Sequence, residues 1–481
     1  MKMLLSKQVA NTTVFAALHT SSVCPVQARS TVGGPELIER SFPAVGKSPK
    51  LTSVEKAFDL VKSGDNIFVH GIAATPTPLL DGLCEVAKNR DLSKIKLHHL
   101  HLEGPTRWVE GEYRDRIRSN SLFTGHNLRK AVNEGFADFN SCFLHEVPLL
   151  FRRGVINLDV ALIQISPPDA KGYCSIGTSV DACRAAITTA KHVIAMSNPN
   201  MPRTFGDSVI HQSQIDVLVE TTDHQLHLRA APTIGAREAL IGKIIADNLV
   251  DDGATLQMGI GAIPDAALAA LTGHKDLGIH TEMFSDGILD LVSCNAITNR
   301  FKHHNPGKMT VSFVYGSKKL YDFLHDNPFV HFGDVAWVND PSIIRQNPKV
   351  TAINSAVEVD LTGQVVADSI GSRFLSGFGG QVDFIRGAAL SDDGLGRPII
   401  ALPSDTKKGQ SKIVPMIQQG SGVVTSRAHV NQVVTEYGIA ELWGKNMRQR
   451  AYEMIKIAHP DHRASLEKSA FERLKVMPSS D

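Results

Sequence analysis

From residue 51 onward, short apolar runs alternate with stretches of helical periodicity. Residues 54–61 read as a helix, with Ser53 positioned to cap it, because a serine oxygen satisfies N–H groups left free at a helix start. A turn at 62–65 leads to a strand at 66–70, and alternation over 96–102 predicts another. Residues 158–165 and 192–196 are near-continuous apolar runs, the pattern of core strands. Strands spaced by helical segments predict βαβ units and mainly parallel sheets. An Ala/Pro/Gly break at 230–236 precedes a long amphipathic helix, which puts a domain boundary there: one α/β domain over 36–235 and a second over 236–481.

The two halves echo each other. HGIAATPTPLLDGL at 70–83 aligns with MGIGAIPDAALAAL at 258–271 at an offset of 188, so Gly71 meets Gly259 and Pro76 meets Pro264. At an offset of 191, Asp169 and Gly172 meet Asp360 and Gly363, in each case just after a strand. Two matches in nearly one register predict two similarly folded domains in tandem. The copies differ where Ala73 faces Gly261. That difference points to the second half as the ligand side, with the first half supplying walls and an acceptor pocket.

The stretch 255–287 carries the most chemistry. A short strand, Gly259, Gly261 and Pro264, and then an Ala/Leu-rich helix make the arrangement in which N–H groups at a helix start face an anion. A second strand-like run at 278–284 places His280 and Glu282 on one face, with Ile279, Thr281 and Met283 on the other. Taken alone, Glu282 is a solvated or structurally paired carboxylate, or else a base, metal ligand or nucleophile. His98, His99 and His101 do not form a metal site, since 98 and 99 point to opposite faces of a strand.

Composition narrows the class. With 50 basic and 49 acidic residues, no global field favours nucleic acid or an anionic membrane. No apolar stretch approaches the roughly 20 residues that span a bilayer. Six scattered cysteines fit reduced thiols better than a disulfide framework or a zinc site. Residues 1–35 hold Lys2, Lys7 and Arg29, many Ser and Thr, and no acid before Glu36, the pattern of a transit peptide and hence of a mitochondrial matrix protein.

GIGAIP at 259–264 followed by GIHTEMFSDG at 278–287 resembles the second half of the family I CoA-transferases. The branch is that of acetyl-CoA hydrolase, 4-hydroxybutyrate CoA-transferase and acetate:succinate CoA-transferase, and the resemblance runs over residues 50–470. It implies that Glu282 is the nucleophile that becomes a glutamyl-CoA thioester. It also implies that Gly259, Ile260, Gly261, Ala262 and Ile263 bind CoA. GFGGQVDF at 377–384 resembles a family element whose glycine N–H stabilises the thioester oxygen, a role carried to Gly380 with Gly379 beside it. A basic turn at 405–415 resembles a CoA-contacting Lys-Gly-Gly segment; Lys408 is the match, although Gln410 replaces the second glycine. Asn339 is implied to sit near the site.

Segments 166–177 and 198–207 also look like family signatures, and Arg203 among them reads as a structural ion pair, with bidentate binding of a carboxylate as the alternative. Glu436 falls in another family motif and receives no role. The resemblance implies an α/β fold of the CoA-transferase and sugar-phosphate-isomerase type, with the active site in the interdomain cleft. CoA would be substrate and covalent intermediate, with no metal and no tightly bound cofactor. Acyl-CoA and short-chain carboxylates would be the partners of a homodimer, acetyl-CoA the donor and succinate the acceptor. Acetyl-CoA hydrolysis through the same Glu282 is the alternative; a non-catalytic CoA- or sugar-phosphate-sensing protein is a third reading.

Overall fold

The computed structural model describes residues 43–44 and 46–481. The transit peptide expected over 1–35 lies outside the described residues. In the first half, β1 (Lys50–Leu51), β2 (Asn66–Val69), β3 (Ile95–His99), β4 (Ile117–Ser121), β5 (Asp138–Phe139), β6 (Val160–Ile165), β7 (His192–Ser197) and β8 (Val217–Glu220) form one sheet. Its order is β1-β8-β7-β6-β2-β3-β4-β5, and every pairing is parallel. The sequence of β6 shows why. Val160 and Leu162 join one apolar cluster, Ala161, Ile163 and Ile165 the other, and all five are fully buried. Burial on both faces is what a parallel sheet covered by helices requires, and each large aliphatic chain so buried contributes about 1.5–3 kcal/mol. Helix α1 (Thr77–Asn89) covers one face with Leu79, Leu80, Leu83 and Val86.

The second half opens with α2 (Ala236–Leu249) after the Ala/Pro/Gly break. It continues through β9 (Thr255–Met258), α3 (Ala262–Ala270), β10 (Gly278–Ile279), β11 (Met283–Phe284), β12 (Phe313–Val314), α4 (Val335–Val338), β13 (Thr351–Ser355), α5 (Gln381–Ala389), β14 (Arg397–Ala401), β15 (Gln432–Thr435) and β16 (Gly438–Glu441). The second sheet runs β12-β11-β9-β13-β14-β15-β16, with β10 added alongside β9. Its centre, β9-β13-β14-β15, is parallel throughout and repeats the order of β2-β6-β7-β8. One apolar cluster takes in Phe68, Ala161 and Ile163 from the first sheet together with Met258, Ile353 and Val434 from the second. A separate cluster backs each sheet on its other side.

The short repeats detected in the sequence are structural repeats. Asp169 accepts N–H bonds from Lys171 and Tyr173 through Oδ1, while its carbonyl takes the N–H of Gly172 at φ +84°. Asp360 does the same with Thr362, Gln364 and Gly363 at φ +93°. The remaining carboxylate oxygen of each is held by an arginine, Arg203 at 3.0 Å and Arg473 at 3.2 Å. Arg203 is thus a structural ion-pair residue, as the sequence suggested.

Three local expectations are corrected. The helix at 54–61 stops after Val54–Ala57, and Ser53 sits at its start without a side-chain capping bond. Past Ala57 the backbone tightens into i→i+3 bonds, Asp59 N–H to the Lys56 carbonyl and Val61 N–H to the Phe58 carbonyl, and Arg90 satisfies the carbonyls of Phe58 and Val61. The strand expected over 96–102 ends at His99, whose ring bonds the Leu100 carbonyl. The run 278–284 is not one strand. Residues 278–279 pair parallel with β9, and Met283 pairs antiparallel with Met258 of the same strand, so the chain turns back at 280–282.

Candidate active site

The interrupted strand puts Glu282 in its break. Thr281 Oγ1 bridges the break by bonding the Met283 carbonyl at 2.8 Å and meeting the Met258 N–H at 3.2 Å. The Glu282 carbonyl is fixed by the N–H groups of Ser312 and Phe313. Its side chain is thereby turned toward the C-terminal ends of the parallel strands, where open α/β sheets gather their ligand sites. Gly259 follows β9 there, Asn354 and Ser355 close β13, the 404–411 turn follows β14, and Glu436 follows β15.

Around the Glu282 carboxylate the structure brings together Asn339, Gly380 and Asp383. Asn339, fully buried at the end of α4, donates through Nδ2 to Glu282 Oε2 at 2.9 Å and to Asp383 Oδ2 at 3.4 Å. Two carboxylates on one end of the amide fix its orientation, because the flipped form would aim an oxygen at both. The Gly380 backbone lies directly against the Glu282 carboxylate and favours its charged form. A Cβ at 380 would overlap both the Glu282 carboxylate and the Asn339 amide, so the site requires glycine there.

Burial is the largest influence on Glu282 and pushes its carboxyl up to about 7. Asn339 and Gly380 oppose that rise, whereas the charges of Asp383 and Asp181 add to it. Asp383, 2% exposed, is likewise pushed up by burial and held back by His145 and Asn339. Its partner His145, from the first half, bonds Asp383 Oδ1 through Nδ1 at 2.8 Å. A carboxylate so poorly solvated, with an amide donating to it and the Gly380 backbone against it, is equipped for attack on an electrophile and for holding an oxyanion.

The first half also clamps the glycine segment. Asn133 exchanges two hydrogen bonds with Phe374, Leu144 N–H bonds the Gly379 carbonyl at 3.1 Å, and Phe123 packs against Gly377 and Gly379. Of the anticipated loop, Gly259 lies one residue beyond the Met258–Met283 pair and so next to Glu282. Gly261, at φ +143°, adopts a backbone that disfavours side chains and starts α3, which carries Ala262 and Ile263. Ile260 is 43% exposed. In the first copy the positive φ falls instead on Ile72, and Gly71 packs on the His101 carbonyl.

Lys408 stands apart. It lies at the exposed tip of the 405–411 turn, and among the described residues its side chain enters no hydrogen bond or ion pair with the Glu282 group. Glu436, given no role from sequence, anchors that turn by accepting from Ser404 N–H and Oγ at 2.9 and 2.8 Å. Asp383 lay inside the glycine run but received no role, and His145 and Asp181 were missed. No local motif marks them, because each reaches the site through tertiary contacts.

Residues 47–227 match the acetyl-CoA hydrolase/transferase N-terminal domain and residues 316–470 its C-terminal domain. The chain is 54% identical to a succinyl-CoA:acetate/propanoyl-CoA:succinate CoA transferase of Fasciola hepatica, over 96% of this chain and 95% of that one. It is 47% identical to a 4-hydroxybutyrate coenzyme A transferase of Clostridium kluyveri, over 87% of this chain and 96% of that one. A solved 4-hydroxybutyrate CoA-transferase of Porphyromonas gingivalis superimposes with a TM-score of 0.75 at 37% identity, covering 88% of this chain and 98% of that one. RipA from Yersinia pestis does so at 0.82 and 32%, covering 89% and 98%. By sequence over nearly its whole length and by fold, the chain belongs to the acetyl-CoA hydrolase/transferase family, within its CoA-transferase enzymes.

Proposed function

We propose that this protein transfers CoA from acetyl-CoA to succinate through a covalent intermediate on Glu282. Glu282 attacks the acetyl carbonyl, with the oxyanion held by the Gly380 N–H, and CoA thiolate leaves an acetyl-glutamyl anhydride. The thiolate then attacks the glutamyl carbonyl, releasing acetate and forming the glutamyl-CoA thioester. Succinate attacks that thioester, and the same two steps in reverse yield succinyl-CoA and the free carboxylate. No net proton is consumed, and two covalent half-reactions give ping-pong kinetics. CoA contacts along residues 259–263 and at Lys408 supply binding energy spent at the reacting thioester.

The observation that carries this reading is a poorly solvated Glu282 carboxylate that accepts from Asn339 Nδ2 and lies directly against the Gly380 backbone. Intact-protein mass spectrometry after acetyl-CoA exposure tests it: a CoA-sized adduct on the peptide holding Glu282, lost with hydroxylamine, is expected. Turnover without an adduct overturns it. Acetyl-CoA loss that is independent of succinate would convert the assignment to hydrolysis by the same residue. The reading includes a homodimer in the mitochondrial matrix, tested by solution mass and by whether residues 1–35 carry a reporter into mitochondria.

A further inference from the structure

The Glu282 site contains more charge than the proposed chemistry uses. Asp383 sits behind Asn339, buried and one hydrogen bond from an amide that also serves the nucleophile. It comes from α5 in the second half, whereas His145, which holds it, comes from the 144–146 turn in the first, 238 residues away in sequence. The His145 N–H of the main chain also approaches Asp383 Oδ2, at 3.4 Å. The imidazole is one-quarter exposed and lies flat on Phe143, with ring centroids 6.1 Å apart. A partly exposed imidazole, a buried carboxylate, a bridging amide and the proposed nucleophile therefore form one hydrogen-bonded line.

We infer that His145 and Asp383 are a cross-domain positioning pair that acts through Asn339 to set how Glu282 is oriented and charged. The inference rests on the nucleophilic role proposed for Glu282. Asp383 keeps the Asn339 amide turned so that its N–H groups, not its oxygen, face Glu282. Its negative charge also opposes ionisation of the nucleophile, and the His145 cation offsets that opposition. Burial works against a charged His145, but the bond to Asp383 and the charges of Asp383, Glu146 and Asp340 outweigh it and raise its pKa.

The other groups around this line are few. The 178–182 segment supplies Asp181, pushed up to about 7 by burial, with the charge of Asp334 adding to the rise. Asp334, at the start of α4, is bonded by Arg152 at 2.6 Å, and Asp340 follows that helix. His280, in the strand break, is held neutral by burial, its pKa pushed down to about 3. Neither these nor Cys142, whose thiol burial pushes up to about 11, touches Asn339 Nδ2, which among the described residues bonds Glu282 and Asp383.

The test is the pH profile of kcat/KM for acetyl-CoA in three variants: Asp383→Asn, His145→Gln and the double substitution. Removing the Asp383 charge should move the acid limb to lower pH, and removing the His145 cation should move it to higher pH, each by about one unit. The double variant should return between the two, and kcat should fall while KM for acetyl-CoA stays near the parent value. Limbs that coincide with the parent's, or that move in the same direction in both single variants, overturn the inference. If Asp383→Asn fails to fold, the direction of the His145→Gln limb decides, since that side chain is one-quarter exposed. The glutamyl-CoA adduct in the parent separates the two levels: an adduct with unmoved limbs rejects the pair alone, and no adduct rejects the nucleophile.

Discussion

Replacing Gly380 by alanine isolates the site from the fold. Gly380 has φ −100° and ψ 10°, a conformation open to any L-residue, so alanine adds no backbone strain. As the residue preceding α5 it would lose on the order of 0.5–1 kcal/mol, because glycine is favoured over alanine at a helix start. The new methyl, however, would occupy the space of the Glu282 carboxylate and the Asn339 amide. One of the three must move, and a reacting group displaced by about 1 Å costs on the order of 10²-fold in rate. That corresponds to about 2.7 kcal/mol of lost transition-state stabilisation. The assay is the initial rate of succinate-dependent acetyl-CoA consumption, read with adduct yield and a thermal melt. The expected variant melts within a few degrees of the parent, turns over about a hundredfold more slowly and accumulates little adduct. A variant with parental kcat/KM would show that neither carboxylate nor amide needs its observed position, and the geometric reasoning would fall.

Further outcomes follow from other contacts. Glu282 is protonated more readily in the folded protein than in the unfolded chain, so the folded state binds the extra proton and loses stability as pH rises from 4.5 to about 7. Glu282→Gln should therefore be inactive yet more stable than the parent above pH 7, by on the order of 3 kcal/mol, with the gain vanishing toward pH 4.5; denaturant melts across pH check this. Gly259→Ala meets only ordinary contacts, whereas Gly261→Ala must hold φ +143°. The first should melt like the parent but raise the KM for acetyl-CoA, and the second should cost about 1–3 kcal/mol of stability as well. Asp360→Ala should destabilise by about 2–4 kcal/mol in urea melts, because losing this 2%-exposed carboxylate strips two N–H groups and the Thr362 hydroxyl of their acceptor and Arg473 of its counter-charge. Asp169→Ala, in the more exposed copy of the same turn, should cost less.

What could be read from the sequence was what local chemistry enforces. Two-sided burial made β6 and β7 visible as apolar runs, and the Asp-x-x-Gly turns were visible twice because carboxylate, N–H groups and left-handed glycine lie within five residues. The glycine loop before α3 was legible for the same reason. The break at 280–282 was not, because alternation is unchanged when a strand trades one pairing with β9 for another of opposite direction. Helix 54–61 was overestimated because beyond Ala57 the backbone tightens into i→i+3 turns, which leave the apolar periodicity nearly unchanged.

The same distinction explains why the proposed nucleophile stands out in the sequence and the residues packed around it do not. Glu282 and Gly380 lie in stretches whose glycines and short polar residues are unusual in themselves, so they stand out in one dimension. His145 stands in an ordinary segment, FLHEV, and acquires meaning only because the first half folds over the glycine run. Duplication makes such an arrangement accessible. Two copies of one α/β unit share an apolar interface, so residues on the facing edges meet without either copy changing its core. The second copy can then hold the loop, nucleophile and glycine N–H on its own strand ends. The first copy, relieved of that task, tolerates Ala73 and a strained Ile72 where its twin has Gly261 and Ile260, and contributes instead the contacts that immobilise the glycine segment. On this argument, Asn133→Ala, which removes both bonds to Phe374 from an exposed side chain, should lower kcat while leaving the thermal melt near the parent's, since it acts on the seam between the copies rather than on either fold.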